Sequence, residues 1–213
     1  MKRSIFLVVS LSAALLIALS VHEFSHAYIA SKCGDTTSKD QGRLTLNPFK
    51  HIDPLGFLML LVAGFGWAKP VQFNEQNLRN PKTDVMKIAV AGPVSNAITA
   101  MILSIIFLLF VDIDISGYHS GNEILREIFM YGIYINWGLM VFNLIPIPPL
   151  DGSHLLLNYF RKYPKTYGIL VRYGTFVLLG LIIISIVTKI NVFPIWPAIE
   201  FLGNGFLSLF SFL

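Results

Sequence analysis

Charged residues are scarce in this sequence. Only 13% of its 213 residues are Asp, Glu, Lys or Arg, and 54% are hydrophobic. An ordinary soluble domain has about a quarter of its residues charged, so this composition excludes one. No stretch has the length and polarity of a separate domain outside the membrane, and we find no internal repeat or low-complexity linker. We therefore interpret residues 1–213 as a single domain embedded in a lipid bilayer.

Cysteine is almost absent. Cys33 is the only one, which excludes a disulfide within the chain. The net charge is +4 and the pI is about 9.2. In a soluble protein that balance would suggest nucleic acid, but in a membrane chain basic residues first indicate topology. We expect no nucleic-acid partner.

The sequence is rich in long hydrophobic runs. Several approach the ~20 residues that a helix needs to cross a bilayer. They predict an all-α, polytopic helical bundle, with membrane segments at about 4–31, 85–111, 128–144, 166–188 and 193–213. The first run also resembles a secretory signal, but it continues past Ser20 to Ala30, which favours a retained helix.

A shorter run, Phe57–Trp67, has eleven residues, about half of a helical crossing. It contains two glycines and is bracketed by Pro54 and Pro70. This pattern predicts a re-entrant hairpin that enters the membrane and returns.

The basic residues test the hairpin prediction. If the hairpin does not cross, one face of the membrane receives twelve of the sixteen basic residues, and the positive-inside rule makes that face cytoplasmic. These residues are Lys32, Lys39, Arg43, Lys50, Lys69, Arg79, Lys82, Lys87, Arg161, Lys162, Lys165 and Arg172.

The end of the first membrane segment reads VHEFSHAYIA. His22 and His26 are four residues apart, so on a helix both imidazoles lie on one face and can bind the same metal ion. Glu23 lies close enough to take a proton from an activated water. This is the HExxH arrangement of zinc hydrolases.

Two histidines leave the site incomplete, because catalytic zinc usually has three protein ligands. The candidates for the third are His51, Asp53, His119, Asp151 and His154. Asp151 is favoured because it follows a membrane segment that ends on the same basic face as the HExxH segment. The prolines before it and Gly152 after it allow a tight turn that directs a carboxylate inward.

Three motifs together resemble the site-2 protease family of intramembrane zinc metalloproteases (peptidase family M50). They are HEFSH, GPVSN at 92–96 and NLIPIPPLDG at 143–152. The stretches GRLTLNPFKHIDPLG and GWAKPV are similar to the compact prokaryotic members. The resemblance runs from about Ser20 to His154. Neither a PDZ nor a CBS domain, which many members carry, is found in the sequence.

This resemblance implies one Zn²⁺ per chain, with His22, His26 and Asp151 as ligands and Glu23 as the general base. It implies a catalytic core at about 4–155 with additional membrane segments at 166–213. The expected substrate is a membrane protein with a transmembrane helix, and the expected location is the cell membrane, with the active site near the cytoplasmic face. The oligomeric state stays open.

The resemblance further implies that Asn96 and Asn143 lie near the zinc and assist substrate binding or the transition state. The alternative for both is hydrogen bonding between helices, which Asn often supplies in membranes. For His51 and Asp53 we expect a role in fixing the loop that enters the hairpin. For His154 we expect a helix cap or a contact beside the site.

Two stretches have the period-two pattern of strands, GRLTLN and WAKPVQF. They predict a small β-element near the active site, which either pairs with an unwound substrate or packs the hairpin. The expected activity is hydrolysis of peptide bonds within or near transmembrane segments. The alternatives are a membrane metallohydrolase that acts on a lipid or small amide, and a catalytically silent metal-binding regulatory partner.

Overall fold

The computed structural model describes residues 2–63, 68–111 and 119–210. The long elements in these ranges are helices, which confirms the all-helical prediction. They are α1 (Lys2–Cys33), α2 (Thr37–Asp40), α3 (Pro54–Ala63), α4 (Pro81–Ile106), α5 (His119–Asn143), α6 (Ser153–Phe160), α7 (Pro164–Thr188) and α8 (Ile195–Phe210). Single 3-10 turns lie at Pro48–Lys50 and Glu75–Asn77, and a π-helical turn, Phe107–Val111, follows α4.

Three helices are long and apolar enough to cross a membrane, at Ser10–Cys33, Pro81–Leu109 and Pro164–Thr188. Many of their apolar side chains point outward. On α7, Phe176 is 69% exposed and Val187 is 75% exposed. Such a surface is unsuited to water and suited to lipid, so the chain is a multi-pass membrane protein.

The centre of the bundle is formed by α1, α4 and α5, each of which packs against the other two. Alanines on α1, among them Ala18 and Ala27, are completely buried. Small residues let membrane helices approach closely, because no bulky side chain separates the backbones. The end of α1 therefore lies directly against α4, which positions the HExxH face inside the protein.

A second packed cluster joins α4, α5 and α8. It contains Ala100 on α4, Ile133 and Trp137 on α5, and Ile199 on α8. This cluster fixes α5 against α4. The chain after α5 is thereby returned to the end of the bundle where α1 ends.

The turn after α5 is closed by its own backbone. The N–H of Gly152 donates to the carbonyl of Asn143 at 2.7 Å. A Cβ at position 152 would lie only 2.5 Å from the carbonyl carbon of Leu144 and would collide with its oxygen. Glycine is required there because the backbone passes itself too closely for any side chain. This turn carries Asp151 back toward α1.

The predicted β-element is wrong for the described residues, which contain a single antiparallel bridge between Ile52 and Ala68 and no strand. The physical reason lies in the partners of the extended segment 69–74. Side chains, such as those of Ser38 and Asp35, satisfy its backbone groups where a neighbouring strand would otherwise pair. Pro70 has no N–H to contribute to a ladder.

The predicted re-entrant hairpin is not supported either. The described part of Phe57–Trp67 belongs to helix α3, and residues 64–67 lie outside the described ranges. Helix α3 begins at Pro54, a favoured first residue of a helix, and the Asp53 carboxylate accepts from the N–H of Gly56 at 2.8 Å. This cap stabilises a helix where the sequence pattern indicated a turn within the membrane.

The packing predicts that the loops before α3 and before α4 lie on the same side of the membrane. The buried Cys33 is first changed to alanine. A single cysteine is then placed either at Lys39 or at Thr83, both of which are exposed. We expect an impermeant maleimide to label both from one side of sealed vesicles. A cysteine at Asn191, beyond α7, should label only from the other side. Labelling of Lys39→Cys and Thr83→Cys from opposite sides would contradict this topology.

Candidate metal centre

Three electron-pair donors from two distant parts of the chain converge inside the bundle. His22 Nε2 lies 3.0 Å from His26 Nε2 and 3.0 Å from Asp151 Oδ2, and His26 Nε2 lies 3.3 Å from the same carboxylate oxygen. Both histidines are buried, with exposures of 4% and 8%. The cluster forms because α1 presents residues i and i+4 on one face and the turn after α5 brings Asp151 beside them.

The other nitrogen of each imidazole determines which nitrogen carries the proton. His26 Nδ1 lies 2.7 Å from the carbonyl of Ile88, and a carbonyl can only accept. His22 Nδ1 lies 2.6 Å from Asn96 Oδ1. Both Nδ1 atoms therefore donate, and in the neutral rings both Nε2 atoms carry lone pairs. Two lone pairs and a carboxylate face one another, an arrangement that a bound cation stabilises.

The donors fit zinc. Two imidazole nitrogens and one carboxylate oxygen form a known catalytic ligand set, and three protein ligands leave one position for water. Tetrahedral bonds of about 2.0–2.1 Å place ligand atoms about 3.3 Å apart. The observed separations of 3.0 to 3.3 Å are close to that spacing. Among the described residues, His22, His26 and Asp151 form the group that could hold a metal ion.

Gly92 on α4 makes room for the two imidazoles. A Cβ built at this position would lie 2.5 Å from His22 Nε2 and would overlap His26 Nε2. Neither ring can move away, because each is hydrogen-bonded through its Nδ1. The glycine of the GPVSN motif is thus explained by its closeness to both histidines.

A buried chain of amides orients His22. Asn96 Nδ2 donates to the carbonyl of Ala18 at 3.1 Å and to Asn136 Oδ1 at 2.8 Å, which turns Asn96 Oδ1 toward the imidazole. Asn136 Nδ2 in turn donates to the carbonyl of Gly132 at 2.8 Å. Asn96 thus bonds both to a proposed ligand and to another helix. Sequence reasoning missed Asn136, whose signal was a lone Asn within an apolar helix.

The carboxylate of Glu23 is held by a segment that is distant in sequence. The N–H of Val71 donates to Glu23 Oε2 at 2.8 Å. Val71 belongs to the extended segment 69–74, whose position is fixed at both ends. Arg43 donates to the carbonyl of Lys69 at 3.1 Å, and the N–H of Asn74 donates to Asp35 Oδ2 at 2.9 Å.

Asp35 anchors this segment from a buried position outside the membrane spans. Burial alone would raise the pKa of its carboxyl. Hydrogen bonds from Thr37, Asn77 and the N–H of Asn74 outweigh burial and hold the pKa below its usual value. The charged form is therefore the one that holds the segment, and acidification below the ordinary pKa of aspartate weakens that anchor.

Four other residues singled out from the sequence lie outside the cluster of His22, His26 and Asp151. They are Asn143, His154, His51 and Asp53. Asn143 donates from Nδ2 to the carbonyl of Leu139 in its own helix. Its backbone carbonyl accepts from the N–H of Gly152 and so closes the turn that carries Asp151. Burial lowers the pKa of His154, whose ring centre lies 6.1 Å from that of Phe73. His51 and Asp53 lie just before α3, where His51 bonds to the carbonyl of Thr45 and Asp53 accepts from the N–H of Gly56; their role in fixing the loop stays a prediction.

Comparison with known proteins defines the class. The family model of peptidase family M50 matches residues 113–182, which include Asp151. A relative from Bacillus subtilis (strain 168), named as the zinc metalloprotease YwhC, is 35% identical over 204 residues, covering 92% of this chain and 89% of YwhC. The chain belongs to peptidase family M50 and is a membrane zinc metallopeptidase.

Two mycobacterial proteins named as the zinc metalloprotease Rip2 are also similar. The one from Mycolicibacterium smegmatis is 31% identical over 145 residues, which cover 66% of this chain and 53% of that protein. The one from Mycobacterium tuberculosis (strain H37Rv) is 29% identical over 185 residues, covering 84% and 67% respectively. No solved structure matches significantly.

We expect Gly92→Ala to abolish zinc binding, because the added methyl group overlaps both imidazoles. Zinc content per purified chain, measured by atomic emission, should fall from about one toward zero. The matched control is Gly180→Ala on α7, where an added Cβ meets no atom within 4 Å. Equal zinc in both variants would show that Gly92 does not set the space for the site.

We expect Asn136→Ala to weaken zinc affinity by less than the roughly 10- to 100-fold that follows loss of a direct partner of a metal ligand, because Asn136 acts on His22 through Asn96. Competition with a chelator measures the affinity. Asn204→Ala is the control, since Asn204 bonds to Tyr134 away from the histidines. A purely structural role would lower the thermal stability of the zinc-free protein and leave zinc affinity as in the control.

Proposed function

We propose that this chain is an intramembrane endopeptidase that hydrolyses peptide bonds within or near transmembrane segments of other membrane proteins. The observation that carries the proposal is the cluster of His22, His26 and Asp151, which could hold a metal ion and whose two histidines lie within the membrane-spanning helix Ser10–Cys33. A site at that depth suits a substrate that is itself held in the bilayer.

We further propose that each chain holds one zinc ion through these three residues. Zinc bound there supplies Lewis acidity that polarises a carbonyl and lowers the pKa of water toward about 7. The chain's own contribution is orientation. The carbonyl of Ile88 and the amide of Asn96 hold each imidazole with its Nε2 turned to the site.

Glu23 is the proposed general base. Glu23 directly follows His22 in sequence, so it lies in the same turn of α1 as the two histidines. Its side chain is buried, with 8% exposure. The N–H of Val71 binds one carboxylate oxygen and leaves the other available to take a proton from water. The same carboxyl can then return that proton to the leaving amine.

The substrate must be unwound locally before it is cut. A peptide bond within a helix has its carbonyl hydrogen-bonded, which blocks attack from the side of the site. Amide hydrolysis also consumes water, so the centre must be reachable from an aqueous phase. Its location at the end of α1 that carries Lys32 and the following basic loop supports access from the cytoplasmic side.

Two substitutions separate metal binding from proton transfer. We expect Glu23→Gln to keep its zinc and lose cleavage of a reconstituted transmembrane peptide by about 100-fold or more, because an amide cannot accept the proton. Asp151→Ala should lose both zinc and cleavage, whereas His51→Ala should keep its zinc. The assays are metal content and mass spectrometry of products.

Substrate class is tested in the same preparation. Hydrolysis of phospholipid or of a small amide, with all peptides intact, would favour the alternative hypothesis of a membrane metallohydrolase that does not cut peptides. A biological activity retained by Glu23→Gln would favour a non-catalytic metal-binding role.

A further inference from the structure

An apolar cavity of about 90 Å³ lies beside the catalytic segment of α1. Its lining includes Leu15, Leu16 and Leu19 of α1, Leu139 of α5, and Ile52 and Phe57 near the start of α3. One water occupies about 10–15 Å³ by the same measure, so the cavity has room for a medium-sized side chain.

One lining residue, His51, forms a fixed part of the cavity wall. Its Nε2 donates to the carbonyl of Thr45 at 2.8 Å. His51 is 2% exposed, and its Nδ1 is enclosed by protein, so a ligand in the cavity cannot reach that nitrogen. The cavity therefore selects its occupant by shape and apolar surface.

The cavity lies on the helix face of the proposed base. Leu19 and Leu16 precede Glu23 by four and seven residues, positions that share its face of α1. At about 1.5 Å per residue they lie about 6 and 10 Å from it along the helix axis.

A second path through the chain gives the same separation. Ala68 lines the cavity, and Val71, three residues later, donates its N–H to Glu23. Three residues of extended chain span about 10 Å, at about 3.3 Å each. An extended substrate would cover 6 to 10 Å with two or three residues.

We propose that this cavity is a specificity pocket that receives an apolar substrate side chain two or three residues from the scissile bond. This inference rests on the proposed peptidase function. The occupant is a peptide side chain, because the cavity lies about 6 to 10 Å from Glu23 and from the N–H of Val71 that holds it, where the chain beside a bond being cut must pass.

The first test is side-chain preference. The zinc-loaded protein is reconstituted into lipid vesicles together with a synthetic membrane-spanning peptide as the probe. Each position around the mapped cleavage site of the peptide is changed in turn to Leu, Ala or Lys. We expect one position, two or three residues from the cut, to prefer Leu over Ala by about tenfold or more in kcat/KM. Leu16→Phe, which narrows the cavity, should remove that preference at that position alone.

The control is Ile17→Phe, the same type of change at the neighbouring, 59% exposed residue, and it should leave all preferences unchanged. Preferences unaltered in Leu16→Phe at every position would overturn the proposal.

A binding measurement separates this inference from the peptidase proposal. The Glu23→Gln protein is incubated with the same peptide carrying photoreactive leucine at the cavity position. Cross-links to Leu16, Leu19 or Phe57 support the pocket even if no peptide is cut by the wild type. Cross-links to Ile17 alone, or displacement of the peptide by added phospholipid, would contradict it.

Discussion

The structure depends on the convergence of two imidazole lone pairs and one carboxylate at a site where both imidazoles are buried and the carboxylate is only partly exposed. These groups repel one another unless a cation lies between them, and bringing them together requires three helices to pack in one arrangement. The buried alanines of α1 allow α4 to approach, and Gly92 on α4 leaves the space that the rings fill. The cluster of Ile133 and Trp137 then holds α5 so that Asp151 can return.

Polar groups within the bundle are arranged to serve this cluster. An unsatisfied polar group in a bilayer is expensive, so each buried amide needs partners. Asn96 and Asn136 satisfy each other and fix the ring of His22. The same hydrogen bonds therefore join helices and orient the imidazole of His22, and the contact of Asn96 with substrate stays a prediction.

Glu23 is coupled to a different part of the fold. Its carboxylate is held by a backbone N–H from the extended segment 69–74, which Arg43, Ser38 and Asp35 hold in place. Glu23 and the two histidines are thus neighbours on α1 but are positioned by separate structures. The cavity lies where these two structures meet, beside the start of α3.

Local patterns in the sequence predicted the metal-binding chemistry and the membrane environment. HExxH puts two imidazoles and a carboxylate on one helical face because helix periodicity is local, and the long apolar runs required membrane helices. Asp151 was identifiable from its turn and its place after a membrane segment. The tertiary structure alone decided the partners of each group. Segment 69–74 alternates like a strand, yet its backbone bonds to side chains from α1, from α2 and from the turns on either side of α2. Asn136, Gly92 and the cavity acquire their roles only through contacts between helices, which no local pattern encodes.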